Sequence, residues 1–266
     1  MKKIILSLLM AAACLAAGAQ TARQFTLPLS DDGVAQLVVY LPEQPTGRAV
    51  VCCPGGGYAV LSNTHEGAAW SEFFNAKGIA FALVNYRIPH GDRTLPIGDA
   101  EQAMRTMRDS AAVWHLNPRD IGIMGSSAGG HLASTIATHT PYELRPDFQI
   151  LIYPVITMDP SFTHKGSLDG LLGENPSQEL IDLYSNEKHV TSDTPPAFIL
   201  LASDDFLVPP ANSLRYYEAL LANRVSATMF IMPSGGHGFG WNDTTVFKND
   251  WTSALDTWLN YVVKKK

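Results

Sequence analysis

Short runs of apolar, often β-branched residues recur along the chain with longer amphipathic stretches between them, and this alternation constrains the fold more than any other feature. Ala35 to Tyr40, Ala49 to Cys53, Ile79 to Val84, Ile121 to Met124, Phe148 to Tyr153, Ala197 to Leu201 and Ala227 to Met232 read as strands. Several are apolar throughout, as strands covered by helices on both faces must be. Between them, Glu66 to Lys77, Asp99 to Trp114, Ser127 to Thr138, Ala211 to Ala222 and Asn249 to Val262 read as helices. The strand, helix, strand order from residue 49 onward predicts an α/β domain with a mostly parallel central sheet and helices on both faces. Thr157 to Pro196 breaks the pattern: it is rich in Pro, Gly, Ser, Asp and Asn and holds one clear helical piece, Gln178 to Tyr184. An insertion of this length between two strands is expected to be a small cap over a functional mouth, against the alternative of a surface excursion without a role.

The first residues read as an export signal. Lys2 and Lys3 are followed by an apolar run from Ile4 to Ala17, and Ala17-Gly18-Ala19 offers a small-residue cleavage site. The expectation is a signal peptide over 1–19 and a single domain over 20–266, placed in the periplasm or outside the cell. The apolar run falls short of the ~20 residues that span a bilayer. Cys14 raises a lipid anchor, but Ala11-Ala12-Ala13 lacks the leucine a lipoprotein signal usually carries. After position 19 only Cys52 and Cys53 remain, adjacent in one strand and pointing to opposite faces, which excludes a disulfide framework and suits two small core residues. A net charge of −6 without a basic stripe speaks against nucleic acid, Lys264 to Lys266 reading as a solvated tail. No histidine or cysteine spacing suggests a metal site.

Gly125-Ser126-Ser127-Ala128-Gly129 matches Gly-x-Ser-x-Gly. The pattern alone is common, and its setting is what counts. An apolar strand stands directly before it and a small-residue helix directly after it, so a sharp turn lifts Ser127 into the open at a helix N-terminus. There the N–H of Ala128 and the helix dipole can face a developing oxyanion. Serine is a weak nucleophile without a base. His237 is the one histidine beyond residue 189, and it sits in the glycine-rich loop Pro233 to Gly240 right after a strand. The acid should follow the preceding strand, where Asp204 and Asp205 compete. Asp205 is preferred for its place in Asp-x-x-Val-Pro, leaving Asp204 as a turn or capping residue, although a one-residue shift of the turn would exchange them. Gly55-Gly56-Gly57 follows Ala49 to Cys53 after Pro54, and glycines let N–H groups turn inward close to a substrate, which nominates Gly56 and Gly57 as further oxyanion donors.

These residues together resemble the acetyl-esterase and hormone-sensitive-lipase-like branch of the α/β-hydrolase superfamily. The resemblance rests on Gly55 to Gly57, Asn85-Tyr86-Arg87, Gly125 to Gly129, Asp205 with Val208-Pro209, and Gly236-His237-Gly238. That branch usually carries a histidine before the glycines, where Pro54 stands here. The chain is similar, further, to secreted bacterial esterases that remove acetyl or feruloyl groups from plant polysaccharide such as xylan. The resemblance implies an α/β-hydrolase fold and a serine esterase with Ser127, Asp205 and His237 as its triad. It implies no cofactor and an ester, small or polymeric, as substrate. A peptidase of the same fold, or a binding protein without catalysis, are the rival readings. Tyr58, Trp241 and Phe239 flank the expected site and either stack on a sugar ring or pack as core and rim. His131 is expected to be buried or to cap, and His65 and Glu66 to cap a helix start.

Overall fold

Eight strands form one sheet in the order β1-β2-β4-β3-β5-β6-β7-β8. They are β1 (Arg23–Pro28), β2 (Gln36–Leu41), β3 (Ala49–Cys53), β4 (Ala80–Asn85), β5 (Ile121–Ser126), β6 (Gln149–Ile152), β7 (Ala197–Ala202) and β8 (Ala227–Met232). The computed structural model describes residues 23–242 and 244–263; the expected signal peptide, Cys14 and the lysine tail lie outside the described residues. β1 with β2 and β2 with β4 pair antiparallel, and every later neighbour pairs parallel. β3, β5, β6 and β7 are buried along their whole length, which is why their sequences are apolar without alternation. β1 is an edge strand with a mostly exposed Arg-Gln-Phe-Thr-Leu-Pro sequence, and it carries too little apolar signal to read as a strand from composition.

The helices are α1 (Trp70–Asn75), α2 (Thr94–Asp109), α3 (Ala128–His139), α4 (Lys165–Leu172), α5 (Gln178–Leu183), α6 (Ala211–Ala222) and α7 (Lys248–Val263). No helix among the described residues is long and apolar enough to cross a membrane. Three differ from the sequence reading. α2 runs from Thr94 rather than Asp99, because Pro96 falls in the first turn, where its missing N–H has no intrahelical partner to lose. It ends at Asp109, and Trp114 reaches the core from a turn, edge-on to Phe25 at 5.5 Å. The expected helix from Glu66 breaks into a helical turn over Thr64–Ala68, itself kinked at non-helical Gly67 (φ −132°, ψ −105°), followed by α1.

The third difference lies in the insertion, where α4 joins the expected α5. Its Lys-Gly-Ser-Leu-Asp-Gly-Leu-Leu sequence holds two glycines and has low intrinsic helicity, so packing of Leu168, Leu171 and Leu172 into the core decides its structure. Buried polar groups fasten the insertion to the scaffold. Asn186 Nδ2 donates to the His131 carbonyl and to the hydroxyls of Ser134 and Thr135 on α3. Histidine Nε2 atoms meet three successive carbonyls at the end of α5: His189 reaches Asp182 at 2.9 Å, His139 reaches Leu183 at 2.8 Å and His131 reaches Tyr184 at 2.8 Å. Helix ends leave such carbonyls without the usual intrahelical donors, and the rings supply donors to them.

Candidate active site

The parallel strands all leave the sheet on one side, and the loops after β3, β5, β6, β7 and β8 converge there. Open α/β sheets bind ligands at this carboxyl edge. Between β5 and α3 the chain turns at Ser127 with φ 53° and ψ −123°, a conformation a residue with a Cβ rarely adopts. The strain is held from both sides. The Ser127 N–H donates to the Ile152 carbonyl at 3.0 Å, and the Ser127 carbonyl accepts from Gly130 at 2.9 Å and Val155 at 3.0 Å. The side chain is 5% exposed at the head of α3.

His237 is brought to this serine by the loop after β8. Its Nε2 lies 2.8 Å from Ser127 Oγ and its Nδ1 lies 2.7 Å from Asp205 Oδ2. Asp205 is 3% exposed, and its second oxygen accepts the N–H groups of Leu207 at 3.0 Å and Val208 at 2.9 Å, so the carboxylate is locked at the start of the loop after β7. Asp204 turns elsewhere and accepts the Gly236 N–H at 2.8 Å, which ties down the residue before His237. With Nδ1–H donated to the carboxylate, Nε2 is the atom left to accept the serine proton.

The glycine loop lies against the serine: a Cβ on Gly55 would stand 2.9 Å from Ser127 Cβ. Gly56 (φ 122°) and Gly57 (φ 65°) occupy backbone regions that favour glycine, and the Gly56 carbonyl closes the loop by accepting from Ala59 and Val60 at 3.1 Å. Among the described residues, the N–H groups of Gly56, Gly57 and Ala128 donate to no protein acceptor. The loop is braced from below by the Tyr86 hydroxyl, which donates to the Pro54 carbonyl at 2.8 Å. The next residue, Arg87, grips buried Asp99 on α2 through Nε at 3.1 and 3.0 Å and Nη2 at 2.6 Å.

Of the three aromatics with two readings, two are taken up by packing. Tyr58 is 1% exposed, and its hydroxyl meets His131 Nδ1 at 3.0 Å beneath the loop, so it has no face for a sugar ring. Phe239 is buried edge-on to Tyr153 at 4.5 Å. Trp241 stays half-buried in a cluster with Trp70 at 5.0 Å and Phe73 at 5.1 Å, with the Lys248 ammonium 4.3 Å from its ring centre. Packing, the alternative left open in the sequence, accounts for Tyr58 and Phe239.

Sequence reasoning also missed a buried pair behind the histidine. Glu66, expected to cap a helix, makes no capping bond; it is 3% exposed and accepts the Tyr153 hydroxyl at 2.8 Å. The same hydroxyl accepts the Gly240 N–H at 2.8 Å, and the Tyr153 ring stands edge-on to His237 at 4.7 Å. Tyr153 thus supports the histidine loop at two points. Burial pushes its phenol well above the ordinary range, and the Glu66 charge pushes the same way, so it stays protonated and able to donate.

A family model for the alpha/beta hydrolase fold matches residues 50–240, the span from β3 to the end of the histidine loop. An acetylxylan esterase of Xylanibacter ruminicola is 52% identical over 252 residues, covering 93% of this chain and 52% of that protein. Endo-1,4-beta-xylanase B of Butyrivibrio fibrisolvens is 33% identical over 223 residues, covering 77% of this chain and 34% of that protein. The chain therefore spans about half and about a third of these two relatives. The crystal structure of an acetyl ester-xyloside bifunctional hydrolase from Caldicellulosiruptor lactoaceticus superposes with a TM-score of 0.84 at 33% identity, covering 90% of this chain and 97% of that one. By the matched family model and by this full-length structural likeness, the chain belongs to the α/β-hydrolase-fold family.

Proposed function

We propose that the protein is a serine carboxylic-ester hydrolase that removes acetyl groups from a plant polysaccharide such as xylan. The observation that carries this reading is the unbroken path from Ser127 Oγ through His237 to Asp205, at 2.8 and 2.7 Å. In the proposed reaction, Ser127 attacks the ester carbonyl while its proton passes to His237 Nε2. Asp205 holds the imidazole in the required tautomer and stabilises the imidazolium that forms. The unpaired N–H groups of Gly56, Gly57 and Ala128 receive the oxyanion. Fixed donors aimed at developing charge typically contribute about 10²–10³ in rate each. His237 then gives the proton to the departing alcohol, and water releases the acyl-enzyme by the same steps. Every proton moves between side chains of this chain, the ester and water.

Acetyl as the acyl group and xylan as the alcohol are supported by the names of the similar Xylanibacter, Butyrivibrio and Caldicellulosiruptor proteins. Action on a polymer fits the exported location implied by residues 1–19, with the 157–196 insertion as a cap beside the mouth. Hydrolysis of p-nitrophenyl acetate, butyrate and octanoate by the purified chain tests the reading. Activity falling from acetate to octanoate and abolished in Ser127→Ala is expected. Activity that survives the substitution would remove the triad from the mechanism.

A further inference from the structure

A further titratable side chain, one the mechanism above leaves unused, borders the glycine loop. His164 immediately precedes α4, with an extended backbone (φ −79°, ψ 108°). Its Nδ1 lies 2.9 Å from the hydroxyl of Ser167, which is fully buried and has no other side-chain hydrogen bond among the described residues. Ser167 thus fixes which way the ring faces. The position of the ring is fixed by α4, which rests on the glycine loop: a Cβ on Gly170 would stand 3.0 Å from both the Gly57 carbonyl oxygen and Tyr58 Cβ. A Cβ on Gly57 would stand 3.6 Å from His164 Cε1, so the imidazole edge borders one of the proposed oxyanion donors.

With Nδ1 committed to Ser167, Nε2 is the free polar atom; it has no hydrogen-bond partner among the described residues, and the ring is half-buried. Burial holds the His164 imidazole below its ordinary pKa, and the neighbouring His237 charge acts in the same direction while Asp205 opposes it. The ring is therefore neutral near pH 7, and it lies close enough to feel both members of the His237–Asp205 pair. Its place beside Gly57 puts it at the rim of the site that holds the ester.

We infer that His164 Nε2 hydrogen-bonds a free hydroxyl on the alcohol portion of the ester, so that the insertion selects esters of polyols, such as partly acetylated sugars, over esters of alcohols with no second hydroxyl. A neutral imidazole suits this role because a sugar hydroxyl both donates and accepts, and either ring tautomer finds a match. A site built to bond a hydroxyl discriminates against a substrate lacking it, because its own polar atom is then left unpaired. The inference rests on the ester-hydrolase reading and gives the insertion a role within it.

The test compares kcat/KM for partly acetylated xylo-oligosaccharides with that for p-nitrophenyl acetate in the full chain, His164→Ala and His164→Gln. The ratio of sugar-ester to aryl-ester kcat/KM is expected to fall about tenfold in His164→Ala, the size of one lost hydrogen bond, and to recover in part in His164→Gln, whose amide can donate or accept. A ratio unchanged in His164→Ala, whether both activities hold or both fall together, would overturn the contact. If the unsubstituted chain hydrolyses neither ester, the ester-hydrolase reading itself fails, and the inference with it.

Discussion

Asp204 and Asp205, adjacent in sequence, hold two successive residues of one loop: Asp204 takes the backbone N–H of Gly236 at 2.8 Å and Asp205 takes the ring of His237 at 2.7 Å. One carboxylate sets where the loop lies and the other sets how the imidazole is oriented. Substituting each by asparagine separates the roles. Asp205→Asn is expected to lower kcat on p-nitrophenyl acetate by about 10³–10⁴, since the amide favours the wrong tautomer. Asp204→Asn keeps an acceptor oxygen and is expected to cost about tenfold or less. Equal losses would show that the turn does not divide the work this way.

Tyr153→Phe removes one hydroxyl that serves both Glu66 and Gly240. It leaves a buried carboxylate short of a donor and a loop N–H short of an acceptor, with an expected cost of about 1–3 kcal/mol in stability. Because Gly240 lies in the His237 loop, kcat is expected to fall as well. Urea unfolding and a kcat measurement on one preparation check both; a fall in neither would mean that solvent replaces the hydroxyl.

Burial lowers the His131 pKa from 6.5 to about 4. Above pH 6.5 the ring is neutral folded and unfolded alike. As pH falls from 6.5 toward 4, the unfolded chain binds a proton that the native state refuses, so stability is lost across that window, by up to about 3 kcal/mol from this group. His131→Gln is expected to flatten the decline between those two pH values even if it costs stability at pH 7. Urea unfolding at pH 7, 5.5 and 4.5 reads the slope, and an unchanged slope would assign the acid sensitivity to other groups.

Two glycines on neighbouring helices are expected to respond to alanine in opposite ways. A Cβ on Gly129 would run into the carbonyl oxygens of Cys53 and Pro54, backbone that cannot move without displacing the glycine loop. Gly129→Ala is therefore expected to abolish activity. A Cβ on Gly98, inside α2, meets nothing within 4 Å. Gly98→Ala should stabilise by about 0.5–1 kcal/mol, visible as a rise of a few degrees in Tm with kcat unchanged.

The sequence makes the parallel core legible because β3, β5, β6 and β7 are buried on both faces and so are apolar but for their ends, Ser126 and Gln149. It makes the placement of Ser127, His237 and Asp205 legible because each follows a strand that announces itself. Features made by contacts distant in sequence stay hidden. α4 owes its helix to the packing of three leucines, whereas its own glycines argue against one. Glu66 looks like a capping residue until the fold brings Tyr153 to it across 87 positions. Tyr58 next to the glycine loop suggests a binding surface, but the loop turns its ring inward onto His131. Alternation and motif order report which elements exist, whereas the facing of a side chain at a loop depends on what the rest of the chain places there.

Cys52 and Cys53 are both fully buried in β3, and burial raises both thiols far from their reactive form. Consecutive residues of a strand project to opposite faces, so these two sulfurs are kept apart by the sheet itself. A domain whose described residues hold no other cysteine reaches its native state without waiting on oxidant, disulfide isomerase or reshuffling. Its assembly should proceed at the same pace in a reducing cytosol and an oxidising exterior, and reductant should change neither its melting nor its turnover.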